Sequence, residues 1–181
     1  MSRRDQILDT AAELFARHGF HGVSIADLGA AVGVSGPALY KHFDSKLDIL
    51  SAMLVSISEE LLAEGRSRVT GADDDLAALA ALVDWHTSFA LAHPALIVVQ
   101  DRDWSALPDD ARETVRATQR EYVEVWVDVL LRLRPDLGRP TGQAMVHATF
   151  GLLNSTPHST FLPQDLMREV LAAMALRGLC A

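Results

Sequence analysis

Residues 24–46, SIADLGAAVGVSGPALYKHFDSK, constrain the fold of this chain more than any other stretch. Ser24 is a helix cap, and Ile25, Leu28 and Val32 follow at helical spacing, so a short helix opens here. Gly33 supplies the turn that two crossing helices need. Ser35 offers a second cap, and Leu39 is the one apolar residue the next helix must bury. That helix then presents Gly36, Pro37, Ala38, Tyr40, Lys41 and His42. Small residues with a phenol, an ammonium and an imidazole suit insertion into the major groove of DNA. The pattern predicts a DNA-binding head.

A longer run, LFARHGFHGVSIADLGAAVGVSGPALYKHFDSK (residues 14–46), places Phe15 and Gly19 at the close of a first helix. The turn Gly33-Val34-Ser35, the segment Leu39-Tyr40-x-His42-Phe43 and the pair Ser45-Lys46 follow in order. This ordered set closely resembles the N-terminal domain of the tetracycline-repressor (TetR) family. Two departures are small. Leu28-Gly29 stands where Ile-Ala is commoner, and Leu47 stands where an acid often follows the lysine; neither removes a DNA-contacting residue type.

The resemblance implies a two-domain, all-helical, homodimeric regulator, usually a repressor, released by a small ligand held in the C-terminal domain. It also implies roles in the head. Tyr40 and Lys46 anchor phosphates, and Ser24 with the amides after it holds another at a helix N-terminus. Gly36, Pro37, Ala38 and Lys41 face base edges, with Ser35 capping the helix that carries them. Ala38 suits a thymine methyl. Lys41 reaches guanine O6 or N7, or a phosphate. His42 touches a phosphate or caps the helix. Val34, Leu39 and Phe43 are core.

The formal net charge of −8 argues against nucleic acid until its distribution is considered. Residues 1–50 carry only −1, which leaves −7 for the rest. A near-neutral head with cations at defined places binds nonspecific DNA weakly, because that affinity comes from neutralised phosphates. Specificity then rests on groove contacts and dimerisation. No stretch of the 181 residues approaches the ~20 apolar residues of a membrane span. The N-terminal segment is an amphipathic helix rather than a secretion signal. A single Cys180 excludes an intrachain disulfide and fits a reducing cytoplasm.

Helical periodicity extends along the whole chain. A first helix spans residues 3–18, and Ser45 caps a long fourth one with Leu47, Leu50, Leu54, Ile57 and Leu61 on one stripe. Residues 65–75 read as a linker, with Gly65, Gly71 and three consecutive aspartates. Helices follow at 74–92, 95–104, 109–134, 141–155 and 164–177, with a loop at 156–163. The expected fold is all-α, about nine helices. Residues 1–46 form a three-helix helix-turn-helix domain, and 47–181 form a helical ligand-binding and dimerisation domain.

A ligand pocket in such a body needs apolar walls with a few inward polar groups. The candidates are His86, Gln100, Trp104, Gln119, Tyr122 and Trp126; ordinary aromatic core is the alternative for each. Arg102, Arg116 and Arg120 nearby suit an anionic end on a hydrophobic ligand. The seven histidines show no metal-ligand spacing, and no catalytic or phosphate-cradling motif appears, so neither enzyme nor cofactor chemistry is expected. Ala144, Ala148, Gly151 and Ser155 form a small-residue seam that, with Leu166, Val170, Ala173 and Met174, serves either a dimer or the monomer's own packing.

The sequence therefore predicts a cytoplasmic, ligand-responsive, dimeric repressor of a palindromic operator. Two alternatives stay open. The body answers to a protein partner without a small ligand, or it is an enzyme or carrier with a vestigial head.

Overall fold

The computed structural model describes residues 2–159 and 161–181. Among them are ten α-helices, one 3-10 turn and no strand. They run α1 (Arg3–His18), α2 (Ile25–Val32), α3 (Gly36–Leu39), α4 (Lys46–Thr70) and α5 (Asp75–Ala92). After these come α6 (Pro94–Asp103), the 3-10 turn Trp104–Ala106, α7 (Asp109–Leu133), α8 (Arg139–Leu153), α9 (Thr156–Ser159) and α10 (Gln164–Cys180).

The helix ends follow from local chemistry. Ser2 with Asp5, and Ser24 with Asp27, form reciprocal capping boxes that satisfy otherwise orphaned amides. Ser45 Oγ accepts from the Asp48 amide at 3.0 Å, while Asp48 accepts from the Asp44 amide at 3.1 Å. Gly33 ends α2 in the left-handed region (φ 75°, ψ 35°), a conformation that costs a side-chain-bearing residue dearly.

Two compact units result. The first contains residues 1–57 and 95–116, and the second contains 58–94 and 117–181. In the first, Ile7, Phe15, Leu28, Leu39, Ile49 and Leu50 are fully enclosed, joined by Val99 and Val115. Phe15 and Phe20 meet edge-to-face at 5.4 Å. In the second, α10 packs on α5 and α8 around Leu79, Leu82, Val83, Trp126, Leu130, Val146 and Leu153. Compactness thus groups the chain differently from the sequence boundary at 46/47: the start of α4, α6 and the start of α7 share a core with the helix-turn-helix.

A polar device with one buried carboxylate closes the first unit. Arg102 of α6 donates to the Phe15 and Ala16 carbonyls at the end of α1, and the buried Asp103 carboxylate accepts from the Phe20 amide at 3.3 Å. Helix-end carbonyls need such partners, and here a distant arginine supplies them. Asp103→Ala strands the buried Phe20 amide and removes one partner of Arg102, so urea unfolding should show a loss of about 2 kcal/mol.

The expected linker is shorter than its composition suggests. Helix α4 continues to Thr70, so Gly65 lies inside it; the break is confined to residues 71–74. A Cβ at Gly65 would stand 2.6 Å from the Tyr122 ring, so glycine here permits close helix approach and is not a breaker. The 156–163 loop likewise contains α9. Helix α8 begins at Arg139, with Pro140 tolerated in its first turn, and α10 extends to Cys180.

Candidate functional site

The reading segment is short. Helix α3 covers four residues and continues as a tighter turn, with Lys41 N–H donating to the Ala38 carbonyl and His42 N–H to that of Leu39. Leu39 and Phe43 are buried and pin the segment to the core. Between them the chain turns its polar residues outward. Tyr40 is 53% exposed, an unusual state for a tyrosine, and Pro37, Lys41 and His42 are exposed with it. Ala38 is half-buried. Gly36 opens α3, and its surroundings lie outside the described residues. Ser35 is exposed and makes no side-chain capping bond.

Ser24 and Lys46 are placed differently from this group. The Ser24 hydroxyl donates to the Asp27 carboxylate at 2.6 Å and accepts from the Asp27 amide at 3.1 Å, while its own amide donates to that carboxylate. The Ser24 hydroxyl and amide hold the Asp27 carboxyl below the usual carboxylate range. The cap is thus satisfied within the chain. Lys46 turns inward: its Nζ donates to the Phe20 and Val23 carbonyls, each at 2.7 Å, and sits 4.4 Å from the Phe20 ring centroid. These contacts tie the start of α4 to the α1–α2 turn. A further cation, missed from the sequence, comes from the first turn of α1. The Arg4 guanidinium lies 4.9 Å over the Phe43 ring, beside the reading segment. Its only sequence signal was a basic residue near the N-terminus.

Of the six candidate ligand residues, His86, Tyr122 and Trp126 come together in the second unit. The imidazole stacks on Phe150 at 4.7 Å and a 4° interplanar angle, and on Tyr122 at 5.8 Å. Trp126 meets His86 edge-on at 6.0 Å and Phe150 at 5.0 Å. His86 Nε2 lies 3.0 Å from Asn154 Oδ1, and Nδ1 lies 3.3 Å from the Tyr122 hydroxyl. With Asn154 so oriented, Nε2 carries the proton and the phenol donates to Nδ1. Burial pushes the imidazole down to about 4, against the Asn154 bond, so the ring is neutral. Burial also pushes the Tyr122 phenol up.

The other candidates lie elsewhere. Gln119 is half-buried on α7. Gln100 on α6 and Trp104 belong to the first unit, where the Arg116 guanidinium lies 5.5 Å over the Trp104 ring. Arg102 is committed to the α1 carbonyls. Phe150 and Asn154 complete the aromatic cluster and were not evident from the sequence, because periodicity assigned them only to a core helix.

On the outer faces of α8 and α10, Ala144, Ala148, Gly151, Leu166, Val170, Ala173 and Met174 are exposed, with Phe161 and Leu162 just before α10. Ser155, the fourth seam residue, is half-buried, its hydroxyl 2.9 Å from that of Ser159. Among the described residues no single helix is long and apolar enough to cross a membrane, and no group of three or more potential ligands could hold a metal ion.

Comparison with known proteins bears on both halves. The family model described as bacterial regulatory proteins, tetR family, matches residues 7–53. A second, described as the tetracyclin repressor-like C-terminal domain, matches residues 72–158. The HTH-type transcriptional repressor KstR2 of Rhodococcus jostii is 30% identical over 129 residues, covering 71% of this chain and 63% of the relative. A solved TetR-family transcriptional regulator from Bordetella parapertussis superposes with a TM-score of 0.86 at 30% identity, over 97% of this chain and 93% of that one. The regulator FadR of Bacillus subtilis, solved in complex with stearoyl-CoA, gives a TM-score of 0.74 over 96% and 98% of the two chains. At 16% identity that likeness is one of fold alone.

Proposed function

The chain belongs to the tetR family of bacterial regulatory proteins, and from that premise we propose that it is a cytoplasmic, dimeric, ligand-responsive repressor of a palindromic DNA operator. The observation that carries this reading is the outward set of Pro37, Tyr40, Lys41 and His42, held up by the buried anchors Leu39 and Phe43. Residues 1–46 read DNA, with Ser35, Gly36 and Ala38 completing the contact set, and 47–181 bind ligand and partner subunit.

Tyr40 is the strongest phosphate anchor in this account. Tyr40→Phe should weaken operator binding about tenfold, the weight of one hydrogen bond to a charged acceptor. Lys46 acts chiefly by positioning the turn, and Ser24 by capping α2. Lys46→Ala should therefore lower the melting temperature of the head while leaving the salt dependence of DNA binding unchanged. A phosphate contact would instead reduce the salt slope by about one.

The exposed apolar face of α8 and α10 supports homodimerisation, which sets two reading segments on adjacent turns of a palindrome. The stearoyl-CoA held by the FadR structure supports a lipophilic ligand for this fold. Release then requires a ligand that binds the body better in a conformation whose heads no longer match the operator. The experiment is capture of genomic fragments of the source bacterium on the immobilised protein, followed by elution with a lipophilic extract of the same cells. Defined fragments retained and then released support the reading. Retention indifferent to every extract would leave a repressor governed by a protein partner.

A further inference from the structure

Residues 1–50 contain five lysine and arginine side chains, and the fold uses them unequally. Lys46 gives its ammonium to the Phe20 and Val23 carbonyls, and Arg3 gives a guanidinium N–H to Gln6 Oε1 at 2.9 Å. Arg17 stands at the far end of α1 from Arg4, about 20 Å away at the usual helical rise. That leaves Lys41 in the reading segment and Arg4 beside it. Arg4 is exposed, and among the described residues its side chain makes no ion pair or hydrogen bond. The adjacent Asp5 does not occupy it, because that carboxylate accepts from the Ser2 amide at 2.8 Å.

What holds Arg4 is the Phe43 ring, whose centroid lies 4.9 Å from the guanidinium carbon. Phe43 directly follows Lys41 and His42 and is 4% exposed, so the core fixes the ring as a platform. A ring attracts the cation without taking its in-plane N–H donors. The first turn of α1 is fixed as well, by the Ser2–Asp5 capping box. A charged donor fork with no partner in the protein is therefore held in place at the end of the segment that carries Tyr40, Lys41 and His42. Holding it beforehand reduces the rotamer freedom lost when an anion arrives.

We propose that Arg4 is a further DNA contact of this protein, donating to a backbone phosphate beside the groove that the reading segment enters, and that Phe43 positions it. This rests on the reading that α3 and the turn after it enter the major groove. The guanidinium comes from α1, not from the reading segment itself, and phosphates flank the groove on both sides, so a phosphate and not a base edge is the target. Phe43 then has two tasks, since it pins the reading segment and carries the cation.

The test uses the full-length protein and a random-sequence duplex pool, with affinity followed by fluorescence anisotropy across a series of potassium chloride concentrations. Arg4→Gln should weaken binding about tenfold and reduce the salt slope by about one, while the melting temperature stays at the wild-type value. Arg4→Lys should restore the slope but only part of the affinity, because an ammonium keeps the charge and loses the planar fork. Phe43→Leu should cost about threefold beside Arg4 and nothing more in the Arg4→Gln background, a coupling that mere loosening of the core would not produce. An unchanged slope in Arg4→Gln would overturn the contact, and so would a changed base preference in the sequences that variant selects from the pool. Equal Phe43→Leu losses with and without Arg4 would overturn the positioning. A reduced slope in Arg4→Gln, with no palindrome selected even by the wild type, would uphold the Arg4 contact and overturn the operator reading alone.

Discussion

Replacing Val170 with glutamate should yield a folded monomer that has lost its operator. Val170 lies on the outer face of α10 between Leu166 and Met174, and all three are exposed, so a charge there is solvated in the isolated chain. In a twofold dimer the same substitution enters twice and faces the partner across the axis. Two carboxylates would then lose water without gaining a partner, a cost of several kcal/mol that an interface of exposed leucine, valine and methionine cannot offset. The neighbouring Arg168 gives no relief, since it pairs with Asp84 on α5 at 2.5 Å. Affinity for a paired site depends on both heads binding together, so its loss should be at least about a hundredfold. Light scattering would report the mass, circular dichroism the helix content, and fluorescence anisotropy the DNA affinity. A Val170→Glu protein that remains dimeric would remove the α8–α10 face from the account.

The second large effect is a pH dependence of stability centred on His86. In the unfolded chain the imidazole has its ordinary value of 6.5, and in the folded chain burial lowers it to about 4. Between those values the unfolded state takes up a proton that the folded state refuses, so stability falls as pH falls. The contribution is fully present above pH 6.5 and is lost progressively down to about 4. The whole shift corresponds to about 3 kcal/mol, of which about 2 is lost by pH 5, before most carboxylates titrate. Urea titrations at several pH values should show this slope in the wild type and a nearly flat line in His86→Phe. That variant keeps the stack on Phe150 and Tyr122 but strands Asn154, so its absolute stability falls while its pH slope disappears. A wild-type stability constant from pH 7 to 5 would mean that the ring is not held neutral.

The head was largely legible because its information is local. Caps, turn glycine and apolar spacing lie within a few residues of one another, and Ser24, Gly33 and Ser45 do in the structure what their positions indicate. Lys46 was not legible in the same way. A lysine at the start of a helix looks solvated or DNA-facing until the α1–α2 turn folds back and offers two carbonyls. Gly65 was misleading for a related reason. Glycine beside a run of aspartates looks like a break, yet its role is set by Tyr122, 57 positions further on, whose ring leaves no room for a Cβ. The body was legible only as helices. Helical spacing puts Tyr122 and Trp126 on one face of a helix and His86 on another helix, but nothing along the chain indicates that Asn154, 68 residues from His86, fixes the tautomer of that ring. Gln100 and Trp104 looked equivalent to them by composition but belong to another core.

The most direct test of the central claim is selection of the purified protein on a random duplex pool at physiological salt. The account predicts enrichment of a palindrome with half-sites about one helical turn apart, bound by the wild type and weakened by Tyr40→Phe. Recovery of a single asymmetric half-site, or no enrichment above nonspecific binding, would contradict a dimeric operator-reading repressor.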